Sequence, residues 1–553
     1  MVKKVGVTFS RIPAWNAGKS LFWQTLGAVA AWGYVVALHW DNDGLWYQGD
    51  AAVHAANGLF WWDFLTRLPS NPLNFALSYY ARYPVINPTA YPPVFYVLEG
   101  ALYRIFGVSP LVAKGLVLGF VFLGTFYLIR WLRRWVGEAA GWAGVLFALQ
   151  PVVIVWGHTV MLNVPCTALG IAALYHWRRW LEHLPSRHIY WAAGFALLAT
   201  LTYLPTIVVV LIMVGWSVEK GQARAFLERR ALTAAGASAG LLLPWAWVAA
   251  KWNPGYRQVA IYLGDYPFWK FASWIYYLEQ VPRMVAIPLL LAALLGLGVG
   301  LWSKHWRKEV FLAVTWFAVC YLWFSFFSVK EQRYALLLVP PIVLIAAVGI
   351  CGTFQALARM SVERGPHWIP TGLILLIVFH VWMAHSVLVP KVTGFQEMVR
   401  YLKHEAPGEW FFYDGAYSGV FTFYLRAEDP HFSNGVIRAS KLLYATKIDP
   451  KFGLVENVSS PEQVVDLLQR QCGCRFLVIE RRIPANIQAE HYLRQALAGN
   501  QFRLVRSFHL DTPGGSDVDL YTFASTVSSP GRLDLQFPIL GDNVRFWVKP
   551  IEP

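Results

Sequence analysis

The sequence predicts a mainly α, polytopic membrane protein: a bundle of about 11 spanning helices, followed by a small α/β domain on the outer side. Three observations predict it. Of 553 residues, 56% are hydrophobic and 14% charged, against about 25% charged in a soluble globular domain. The net charge of +15 comes from Lys and Arg gathered in short clusters between apolar runs. That pattern marks cytoplasmic loops and argues against a nucleic-acid surface. Past Pro390 the apolar runs give way to shorter segments with strand and helix periods. The chain therefore divides into a membrane part, residues 1–390, with a large first outer loop over 40–110, and an extracytoplasmic α/β part, 391–553.

The basic N-terminus (Lys3, Lys4, Arg11, Lys19) enters the first apolar run, 21–39, with no small-residue cleavage site. It reads as a signal anchor with a cytoplasmic N-terminus, which puts Asp41 outside. The next basic cluster is Arg130, Arg133 and Arg134. For it to lie inside, one span crosses at 110–129, and the shorter run 94–106 becomes a helix lying on or dipping into the outer leaflet. Spans at 141–156, 164–177, 190–202, 204–216, 232–250, 285–302, 311–328, 335–354 and 369–389 then place each basic cluster inside. Beyond them, 410–414 and 475–479 read as strands, 395–404 and 461–469 as helices. Residues 502–509 and 520–523 read as a hairpin around Pro513-Gly514-Gly515. Five cysteines are too few for a disulfide framework, and Cys472-Gly473-Cys474 alone is a weak metal signal.

Chemistry concentrates in the first outer loop, which holds Asp41, Asp43, Asp50, His54, Arg82 and Tyr91. The run after Gly49 starts a helix with Asp50 as its N-cap, and His54 shares its face four residues on. Asp50 is then either a plain cap or a general base at the membrane surface, where partial desolvation raises a carboxylate pKa. Asp41 and Asp43 read first as turn residues ending a span. A second group is Ser328-Val329-Lys330-Glu331-Gln332-Arg333-Tyr334. Two cations on the outer side run against the positive-inside trend. They form either a surface cluster with snorkelling side chains or a clamp for a lipid-linked phosphate, Arg supplying bidentate contacts.

Taken in order, these features resemble the GT-C membrane glycosyltransferases. They are Asp50 after the first span, Tyr91-Pro92-Pro93 leading to a helix that ends at Phe106-Gly107-Val108-Ser109, and Lys330-x-x-Arg333-Tyr334 before a Pro-containing span. The likeness is to the branch of the protein O-mannosyltransferases and the lipid A aminoarabinose transferase. It implies a GT-C-like bundle in a bacterial inner membrane, a polyprenyl-phosphate-sugar donor, and an acceptor lipid, glycan or protein. It further implies Asp50 as the base and Arg333, helped by Lys330, on the donor phosphate. His158 and Asn163 fall at cavity positions, and a divalent metal stays open as a cofactor. The chain departs from the family pattern at Ala51, Tyr91, Asn163 and Thr202-Tyr203, where members often carry Glu, Lys, Asp and Lys. The loop 251–283, with Tyr256, Arg257 and Asp265, reads as an acceptor lid or as an interfacial aromatic belt. Two rival functions share the fold: a non-catalytic polyprenyl-phosphate-binding protein and a flippase of lipid-linked sugars.

Overall fold

The structure, a computed structural model, describes residues 17–47, 49–136, 141–182, 187–252, 264–360, 368–447, 453–482, 486–524, 534–536 and 545–547. Its helical part consists of α1 (Ala17–Leu38), α2 (Asp50–Arg67), α3 (Pro72–Arg82), α4 (Val94–Phe106), α5 (Pro110–Val136), α6 (Asn163–Leu181), α7 (Arg187–Thr200) and α8 (Val208–Glu219). It continues with α9 (Arg229–Trp252), α10 (Phe271–Met284), α11 (Ile287–Trp302), α12 (Lys304–Phe326), α13 (Val339–Met360) and α14 (Trp368–Ala384).

Five described helices are long and apolar enough to cross a membrane, or six if the bent pair α10 and α11 counts as one span. Several expected spans are instead short or broken. The stretch expected at 141–156 splits into Trp142–Gly144, Val145–Ala148 and Pro151–Gly157. It presses on α5 so closely that a Cβ at Gly144 would stand 2.5 Å from the Ile129 amide nitrogen. α10 lies where a loop was expected. Its buried Ser273, Tyr277 and Met284 share one face. Val285 and Ala286 are extended and Pro288 starts α11, so the chain turns through 116° between the two helices.

α4 occupies the expected residues. Pro93 precedes it and Gly107, at φ 84°, ends it. Its buried face, Phe95, Tyr96, Glu99, Gly100 and Tyr103, packs on α2. The crossing is glycine on glycine: a Cβ on Gly100 would lie 2.8 Å from the Gly58 carbonyl oxygen. Glu99 is wholly buried against this contact. Burial pushes its carboxyl well above the usual range.

After α14 come α15 (Phe395–Glu405), β1 (Trp410–Asp414), α16 (Ser418–Glu428), β2 (Gly435–Arg438), β3 (Tyr444–Lys447), β4 (Gly453–Glu456), β5 (Phe476–Glu480), β6 (Phe502–Leu510) and β7 (Ser516–Phe523). Five strands form one sheet in the order β2-β1-β5-β7-β6. β2 and β5 run parallel to β1, whereas β7 is antiparallel to both β5 and β6. The apolar core is continuous across residue 390: Val35, Leu118 and Trp316 belong to the same packed cluster as Phe421 and Val478.

That contact also carries charge. The Arg426 guanidinium on α16 is buried. It donates to Asp63 Oδ2 on α2 at 2.7 Å, to the Tyr79 hydroxyl on α3 at 3.0 Å and to the Asp429 carbonyl at 2.9 Å. It also lies 4.2 Å over the Phe432 ring, which Arg67 approaches at 4.1 Å.

Candidate active site

α2 begins one residue earlier than the sequence suggests. Gly49, not Asp50, is the cap, at φ 78°, a left-sided conformation open to glycine at no steric cost. Asp50 becomes the first helical residue. It keeps a favourable place for a carboxylate beside unpaired amides, and its side chain is 38% exposed.

Its partner comes from the far side of the sequence. Arg333 opens the turn Gln332–Leu338 that leads into α13. Its Nη2 donates to Asp50 Oδ2 at 2.8 Å, across a separation of 283 residues. The same nitrogen reaches Glu331 Oε1 at 3.2 Å and the Tyr334 hydroxyl at 3.1 Å. Arg333 Nε lies 2.7 Å from Glu331 Oε2 without the alignment of a hydrogen bond. The guanidinium is buried among Tyr47 at 4.6 Å, Tyr334 at 4.9 Å and Trp156 at 5.5 Å. Those rings hold the cation from several sides and keep bulk water off it. One guanidinium thus faces two carboxylates.

His54 sits one turn along α2 from Asp50, facing inward. Its Nδ1 is 2.7 Å from the Tyr96 hydroxyl, and its ring meets Tyr91 edge-on at 4.8 Å. Burial pushes its pKa down to about 4, so the imidazole is neutral at pH 7.

The other expected residues are placed as follows. The Lys330 ammonium donates to the Phe324 and Ser325 carbonyls at 3.2 and 2.8 Å. It lies over Tyr277 at 5.2 Å, and burial lowers its pKa to about 8. It thus caps the end of α12. Asp41 pairs with Lys391. Asp43 is buried, accepting from the Leu45 amide at 2.9 Å and the Tyr424 hydroxyl at 3.0 Å. Arg82 lies against Trp410 at 5.6 Å. His158 Nδ1 bonds the Ile154 carbonyl at 2.8 Å, and Asn163 is a buried residue opening α6. Asp265 is exposed. Tyr256 and Arg257 lie outside the described residues.

The structure therefore joins Asp50 and Arg333, adds His54 and Tyr91 alongside, and assigns local structural contacts to Lys330, Asp41 and Asp43. Sequence reasoning placed Glu331 in a surface cluster. The available signal was its place two residues before Arg333, at the entry to the turn Gln332–Leu338. Tyr47 and Trp156 carried no comparable signal.

A divalent ion does not fit this donor set. Both carboxylates are already engaged by Arg333, and His54 Nδ1 is committed to Tyr96. Among the described residues no three His, Cys, Asp or Glu side chains converge as ligands. An apolar groove runs between α4 and α5, lined by Trp40, Leu102, Phe106, Leu116 and Phe120.

No protein-family model matches the chain, and no curated protein matches it in sequence. Solved structures do match in shape. ArnT from Cupriavidus metallidurans bound to undecaprenyl phosphate superposes with a TM-score of 0.59 at 12% identity, over 93% of this chain and 100% of that one. The same enzyme in the apo state gives 0.57 at 14% identity, over 91% and 98%. The archaeal oligosaccharyltransferase AglB from Archaeoglobus fulgidus, in complex with an inhibitory peptide and a dolichol-phosphate, gives 0.52 at 11% identity, over 84% and 70%. At these identities the likeness concerns architecture. The chain has the fold of the GT-C glycosyltransferases.

Proposed function

We propose that this chain is a membrane glycosyltransferase that moves a sugar from a polyprenyl-phosphate-linked donor to an acceptor hydroxyl outside the cytoplasm, with inversion. The observation that carries the reading is the meeting of Asp50 and Arg333 at 2.8 Å, a carboxylate and a buried guanidinium where α2 follows the first span. The fold supports it, as does the undecaprenyl phosphate bound by the ArnT neighbour. The apolar groove beside α4 suits a prenyl chain.

In this mechanism the acceptor oxygen attacks the anomeric carbon while its proton passes to Asp50. The bond from that carbon to the phosphate oxygen breaks, and its electron pair stays on the phosphate. The phosphodiester monoanion becomes a monoester dianion, and Arg333 stabilises the charge that develops. A phosphate is a weak base, so no general acid is required. Tyr91, His54, His158 and Asn163 shape the cavity in this reading, with 391–553 as an extracytoplasmic domain.

The test is transfer by the purified protein in lipid nanodiscs, from radiolabelled polyprenyl-phosphate sugars to envelope extract. The expected outcome is transfer by the wild type and a loss of at least about 100-fold in Asp50→Asn. Full activity in Asp50→Asn would move the base elsewhere. Absence of transfer with every donor would favour the binding protein or the flippase.

A further inference from the structure

We propose that the Asp50–Arg333 pair is a latch opened by the donor phosphate, so that the base is released only once a donor is seated. The proposal rests on the reading of Arg333 as the phosphate site. It starts from a charge count: Asp50 and Glu331 both face the one buried guanidinium, and the Lys330 ammonium is turned to the α12 carbonyls. As it stands the site carries one negative charge in excess. An anionic phosphate meets repulsion there unless a carboxylate gives way.

Geometry says which one does. Glu331 is the extended residue that caps the turn, two residues before Arg333, and touches both Nε and Nη2, so it cannot move far. Asp50 touches Nη2 alone and is the more exposed of the two carboxylates, at 38% against 30%. It follows Gly49, which has open space around it and a φ of 78°. A phosphate oxygen on Nη2 takes the place of Asp50 Oδ2, and the freed carboxylate turns to the acceptor hydroxyl. Glu331 is then a positioning residue: it holds the guanidinium edge while its other partner changes. Donor binds before acceptor, and a hydroxyl arriving first finds no free base.

The experiment uses undecaprenyl phosphate and the full chain in nanodiscs, with two readouts. One is affinity. Asp50→Asn removes the competing charge, and binding is expected to tighten about fivefold, the worth of one partly exposed ion pair. The other is carbodiimide labelling of carboxyl groups in the wild type, read by mass spectrometry, which needs no variant to fold. Labelling of Asp50 is expected to rise several-fold on adding undecaprenyl phosphate, while that of Glu331 stays level. Unchanged or reduced labelling of Asp50, or weaker binding by Asp50→Asn, overturns the latch. Absence of saturable binding overturns it together with the phosphate site. A rise in labelling without sugar transfer upholds the latch and defeats the enzymatic reading alone.

Discussion

Arg426 is the place to test how the C-terminal sheet region is bound to the helix that bears Asp50. Its guanidinium spends one charge-assisted bond on Asp63, one bond on Tyr79, one on the Asp429 carbonyl and a ring face on Phe432. Arg426→Leu leaves the Asp63 carboxylate, whose side chain is only 12% exposed, without its counter-charge. Breaking a buried pair from one side costs about 3–5 kcal/mol. Asp63→Leu strands the guanidinium instead and costs a similar amount. Removing both leaves no orphaned charge. The double variant then loses mainly the cation–π contact and the bonds to neutral partners, about 1–3 kcal/mol. The coupling energy is therefore expected to exceed about 2 kcal/mol. The assay is an SDS titration in mixed micelles, followed by the fluorescence of the 28 tryptophans. Additive losses in the double variant, with coupling below about 0.5 kcal/mol, would refute the claim that this pair clamps α16 to α2.

Three further outcomes are expected. Gly100→Ala puts a methyl group 2.8 Å from the Gly58 carbonyl and 2.9 Å from Trp62 Cβ. It should cost about 1–3 kcal/mol in the same titration, and an unchanged midpoint would argue against the close crossing. The Asp43 carboxyl is pushed up to about 6 by burial. A raised acid favours the fold below its unfolded pKa and loses that contribution as pH rises through the folded value. Asp43 should therefore cost about 3 kcal/mol between pH 4 and pH 7. Asp43→Asn should flatten the pH dependence of the unfolding midpoint and raise it at pH 7, and an unaltered slope would count against the assignment. Finally, Lys330→Met removes the cap on α12. It should lower stability by about 1–2 kcal/mol and leave undecaprenyl phosphate affinity within about threefold. A larger loss of affinity would return Lys330 to the phosphate site.

Which features the sequence disclosed follows from how far their causes reach along the chain. The Pro93 and Gly107 boundaries of α4, the β1 residues 410–414 and the glycine turn between β6 and β7 are set by neighbouring residues, and they lie where local patterning puts them. The abundance of apolar runs was equally plain, because burying or lipid-solvating a helix is a property of its own side chains. Their lengths were less so. The 141–157 stretch breaks up because Gly141 and Gly144 let it lie against α5, a contact between distant partners. α10 went unseen because its apolar face alternates with polar residues and does not form a continuous run.

The site shows the same division. Asp50 and Arg333 each stood out by type and position, one as a carboxylate just past an apolar run, the other as a cation that the charge pattern of the sequence assigns to the outer side. That the two touch, that Glu331 shares the guanidinium, and that Tyr47, Trp156 and Tyr334 enclose it depend on chain segments up to 286 residues apart. Lys330 shows the converse: three residues before Arg333 in sequence, it was drawn to helix carbonyls five and six residues back. Residue type and hydrophobic period are written along the chain and decide elements and candidate chemistry. Which charge meets which is settled only on packing, where a buried cation takes the nearest acceptor the folded backbone offers.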